Sequence, residues 1–164
     1  MSTYTAVHVV ISLIGIVSGL AVLAGFLTGR RLDTWTRIFL GSTVATSLTG
    51  FGFPVDHVLP SHIVGALSLV ALAVAIYARY PRHMAGGWRT TYVLTAMLSL
   101  YFNVFVAVVQ SFIRIPALHA LAPTQSEGPF ALTQFAVLIA FLALSIVALR
   151  KFKAGTATGR HAVA

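Results

Sequence analysis

Five apolar segments, each close to the length that crosses a bilayer and joined by short polar connections, leave this chain one class of fold: helices packed in a membrane. A spanning helix needs about 20 residues at about 1.5 Å per residue. The segments over about 4–28, 35–53, 61–80, 88–115 and 129–150 come close to or exceed that. Composition agrees, with 58% hydrophobic and 9% charged residues and a mean hydropathy of +0.91, where a soluble domain carries about a quarter charged. The sequence therefore predicts an all-α integral membrane protein, a bundle of five transmembrane helices forming a single domain over 1–153. Residues 154–164 read as a mobile basic cytoplasmic tail. The absence of cysteine removes disulfides, thiolate metal sites and thiol catalysis.

The punctuation between segments is specific. The first segment is too long, and lacks the basic start, to be a removed signal peptide. Asp33 or Thr34 is placed to cap the second, Pro54 ends it, and Ser61 is placed to cap the third. Gly86 and Gly87 precede the fourth, Pro116 ends it, and Ala117 to Gly128 reads as the longest loop. Pro129 suits the first turn of the fifth segment.

Basic residues set the orientation. Arg30, Arg31, Arg37, Arg79, Arg82, Arg89, Arg150, Lys151, Lys153 and Arg160 all lie on alternate connections, leaving only Arg114 on the other side. The positive-inside rule then puts the amino terminus outside and the carboxyl terminus in the cytoplasm, in a cytoplasmic (inner) membrane. The net charge of +8 is accounted for as a topology signal, so nucleic acid is not expected as a partner.

The strongest site signal is the fourth segment. At about 100° per residue, Tyr92, Ser99, Asn103, Gln110 and Arg114 share one strip, opposite Leu98, Tyr101, Phe105, Val108 and Phe112. Lipid offers amide and guanidinium groups no partner, so this strip must face protein or water. Thr43, Thr46, Ser47 and Gly50 on the second segment form a soft polar face placed to receive Asn103. Arg114, placed against the topology signal, calls for a partner: Glu127, Asp56 or an anionic ligand. Gln110, Arg114, His119 and Glu127 gather on the outer side with His8, Asp56, His57 and His62, and Gln134 begins the fifth segment there.

Two cofactor classes are open, and the residues select neither. Asp56, His57 and His62 are donors suited to a transition metal, although Pro60 between the histidines breaks helical spacing. His8 and His62, on different segments at similar depth, suit the two faces of a b-type haem. Ser12, Gly15 and Gly19 below His8 would either admit a flat ring or serve close helix packing. The leading expectation is ligand binding, in an outward-facing polar, histidine-rich pocket, of a small molecule, lipid headgroup or cofactor by Asn103, Gln110, Arg114, His119 and Glu127. The alternatives are a non-catalytic subunit or scaffold of a larger membrane complex, then a haem- or quinone-linked redox protein. Expected partners are the bilayer, a small anionic ligand or lipid, and another membrane protein or a second copy of this chain. No catalytic residue is assigned.

Overall fold

The computed structural model describes residues 2–53 and 60–158. Six helices run through them: α1 (Thr3–Leu27), α2 (Asp33–Gly50), α3 (Pro60–Arg79), α4 (Trp88–Arg114), α5 (Pro116–Leu121) and α6 (Gly128–Thr158). Among the described residues there is no strand. Four helices are long and apolar enough to cross a membrane: α1, α3 from His62, α4, and α6 as far as Phe152.

α2, with 18 residues, falls outside that set. Its sequence contains Thr34, Thr36, Ser42, Thr43, Thr46, Ser47 and Thr49, together with Asp33 and Arg37. These hydroxyls do not make its surface polar. Thr36, Thr43 and Ser47 are buried, and Ser42 and Thr49 donate to their own i−4 carbonyls at 2.6 and 2.7 Å. Beyond Arg37 the exposed positions are Ile38, Gly41 and Leu48.

α1 and α2 run antiparallel along their whole length. Tyr4 and His8 meet Thr49, Gly15 lies against Thr43, and Gly19 against Phe39. α4 crosses behind the same glycines. A Cβ on Gly19 would stand 2.9 Å from the Phe39 ring and 2.5 Å from Leu100, so only glycine lets the three helices approach this closely. α3 packs between α2 and α4, and α6 packs against α4 and α1. Tyr101 meets Phe141 at 5.6 Å between ring centroids, and Phe112 meets Phe130 at 5.3 Å.

The core lies toward the end of the bundle where the basic connections gather, hereafter the basic end. Val22, Phe26, Phe39, Leu72, Met97 and Leu100 are buried there, and Phe26 stacks edge-on with Tyr92 and Phe152. The turn from α3 to α4 is tight. His83, Met84 and Gly86 have φ of 50°, 55° and 54°, a region costly for the two non-glycine residues. This turn drives the Met84 side chain into the core, where it is 5% exposed.

Several boundaries differ from the sequence expectation: α2 ends at Gly50, short of Phe53 and Pro54, and α3 begins at Pro60, so Ser61 lies within it rather than capping it. α2 begins at Asp33 with Leu32 as its N-cap and no side-chain cap, because the Asp33 carboxylate is engaged elsewhere. The segment after Pro116 contains α5, since proline cannot prolong α4 but suits the first turn of a new helix. α6 continues through Thr158, past Gly155 and into the residues expected as a tail.

Candidate functional site

The polar strip of α4 changes character along its length. Tyr92 and Ser99 are fully buried, and the Ser99 hydroxyl donates to Thr95 O at 2.9 Å. Asn103 is half-buried and donates from Nδ2 to Thr43 Oγ1 at 3.0 Å. The strip thus faces α1 and α2, as hydrocarbon surroundings require. At the far end Gln110 and Arg114 are exposed, and Arg114 Nε donates to Gln110 Oε1 at 3.0 Å. Packing changes with it. Leu100 is the last α4 residue of the main core, every residue from Tyr101 to Val109 is half-buried, and Phe112 is buried again against Phe130.

A second far-end group surrounds the end of α2. Tyr4 donates its hydroxyl to Thr49 O at 2.5 Å, and His8 Nδ1 lies 2.8 Å from Thr49 Oγ1. His8 also meets Phe53 edge-on at 5.1 Å, while His62 stacks on Phe51 at 5.6 Å. The two histidines therefore rest on the same short segment, each on its own phenylalanine. The space beside Gly15 and Gly19 is filled by Thr43, Asn103, Phe39 and Leu100. Those glycines lie in close helix packing, the reading set against a ring-admitting slot. Among the described residues no three His, Asp or Glu side chains converge as metal ligands. Asp56 and His57 lie outside the described residues.

His119 is exposed on α5. Glu127 is bound within its own loop: Oε1 accepts from the Thr124 amide at 3.1 Å and hydroxyl at 2.8 Å, and Oε2 from the Ser126 amide at 3.1 Å. Desolvation opposes these bonds, but together they outweigh it, so the carboxyl is held below its ordinary range. Glu127 is consequently not the partner of Arg114, and among the described residues no carboxylate pairs with Arg114. Gln134 ties α6 to α4, its Nε2 donating to Phe105 O at 3.2 Å.

Sequence reasoning missed a cluster at the basic end. Arg79 is 8% exposed and forms an ion pair with Asp33. Its guanidinium lies 5.1 Å from the Tyr92 ring centroid and 5.8 Å from that of Tyr80, with Met84 Sδ 4.0 Å from Nη1. A guanidinium taken from water is retained when a carboxylate and aromatic faces replace its hydration. The signal was present, since Asp33 is one of only three acids and lies among arginines.

The chain has no match among family models, curated proteins or solved structures, so its functional reading rests on this geometry.

Proposed function

We propose that this is a five-span protein of a cytoplasmic membrane, amino terminus outside, that binds a small anionic ligand or lipid headgroup in an outward-opening cleft beside the far half of α4. The observation carrying this reading is the change at Leu100. Below it the bundle is closed. Above it nine successive residues stay half-buried and lead to the exposed Gln110–Arg114 pair. The fork of Arg114 matches a carboxylate or phosphate, and Glu127 is committed to its own loop. Asn103 closes the floor, and His119 lies at the rim. The inward-turned hydroxyls of α2 support its place as the fifth span, and the distribution of basic residues supports the orientation.

The test is the melting temperature of detergent-solubilised protein titrated with decanoate and, separately, with decanol. Decanoate is expected to raise it by several degrees in the wild type and decanol not, with the gain absent in Arg114→Ala. Equal stabilisation of both proteins by decanoate counts against the reading.

The subunit alternative draws on α6, whose Leu132 and Phe135 are 70% and 61% exposed. It requires a stoichiometric partner after gentle extraction, and recovery of the chain alone removes it.

A further inference from the structure

Between α1 and α2, on the outside of the bundle, lies an open groove of about 360 Å³ lined by Leu13, Ile14, Val17, Ser18, Trp35 and Ile38. Its surface is wholly apolar. The one hydroxyl bordering it, on Ser18, donates to Ile14 O at 2.5 Å and Gly15 O at 3.2 Å within its own helix. The groove runs from the middle of α1 toward the basic end, where Trp35, 44% exposed, occupies the first turn of α2. Tryptophan is favoured at the depth where hydrocarbon gives way to headgroups.

Just past Trp35 the chain turns through Arg30 and Arg31, both exposed. The carboxylate close to them in sequence, Asp33, is held by Arg79. Among the described residues neither arginine has an acidic partner. The apolar groove thus opens toward the basic end, where two exposed arginines of the α1–α2 turn have no acidic partner among the described residues. An acyl chain satisfies the first feature and a phosphate the second.

We propose that this groove seats one acyl chain of an anionic glycerophospholipid from the leaflet on the basic side, with its phosphate on Arg30 and Arg31. The site is independent of the far-end cleft, with which it shares no residue. Phosphatidylcholine fits the groove equally well but presents no net negative charge to the two arginines. Selectivity therefore resides in the turn, and chain occupancy in the groove.

The protein's two tryptophans make the test direct. Full-length Trp88→Phe, which leaves Trp35 as the sole indole, is reconstituted into mixed phosphatidylglycerol and phosphatidylcholine vesicles in which one species carries brominated chains. Brominated phosphatidylglycerol is expected to quench Trp35 at lower mole fraction than brominated phosphatidylcholine, with a preference of about fivefold for each arginine on the phosphate. Arg30→Gln with Arg31→Gln should abolish the preference while leaving quenching by both lipids, and Val17→Phe should reduce quenching by obstructing the groove. Equal quenching by the two lipids overturns the proposal. A second arm does not depend on the Trp88→Phe variant: phosphatidylglycerol should raise the melting temperature of solubilised wild type more than phosphatidylcholine does, and the double arginine variant should lose the difference. If glycerol phosphate without acyl chains matches phosphatidylglycerol, the arginines bind an anion at the surface only and the groove assignment fails.

Discussion

The two ends of α4 use polar side chains in opposite ways. At the basic end Tyr92 and Ser99 are sealed among α1, α2 and α3, and the charged Arg79 beside them is neutralised by Asp33 and covered by aromatic rings. At the far end Gln110 and Arg114 bind each other in the open, and the helix below them is half-buried on every side. A buried charge thus lies in the closely packed part of this bundle, and an exposed one in the more open part that the proposed function assigns to a ligand. Burial of an ionisable group is a site signal only where its partners leave a coordination position open.

The contrast predicts unequal costs, measurable by reversible unfolding in mixed micelles. Phe39→Ala, which empties a site 1% exposed, should cost about 3 kcal/mol or more. Phe105→Ala, from the half-buried stretch, should cost less than half as much, and equal losses would erase the distinction. Asp33→Ala should cost about 2 kcal/mol by leaving the Arg79 guanidinium without its anion. Arg79→Ala should cost less through the ion pair, because the Asp33 side chain is 63% exposed and rehydrates. The reverse order would show that the pair does not hold this end. Asn103→Ala should cost about 0.6 kcal/mol, and Thr43→Val should add little on top of it; full additivity would mean the Asn103–Thr43 bond contributes nothing.

The smallest effect concerns Glu127. Its folded-state carboxyl is held low, so the order it confers on the loop is present above the ordinary glutamate range and is lost as pH falls through the depressed value. Amide exchange at Thr124 and Ser126 should accelerate only in that acidic window. Glu127→Gln should remove the pH dependence, and unchanged exchange across the window would contradict the assignment.

The helical class, the membrane character and the inward face of the Asn103 strip were legible in the sequence, because each follows from apolar length or from the 100° step. The Asn103–Thr43 pairing was legible too, as complementary polar faces at matching depth. The Arg79–Asp33 pair was not. Arg79 read as one more topology charge and Asp33 as a cap, and only the packing of α2 along α3 brings the end of α3 to the start of α2. Helix α5 was hidden for a related reason, since Pro116 ends one helix and starts another with equal propriety. The Glu127 bonds arise from a compact turn containing Gln125 at φ 60°, which no spacing rule announces.

The hydroxyl-rich α2 has a consequence for how such a chain enters a bilayer. With Thr36, Thr43 and Ser47 sealed only by neighbouring helices, α2 alone would expose these groups to hydrocarbon, at a cost the strongly apolar α1 does not face. In the five-span reading α2 therefore becomes fully compatible with hydrocarbon only once α1 lies against Thr43 and α4 has brought Asn103 to it, so its stable insertion waits on helices made after it.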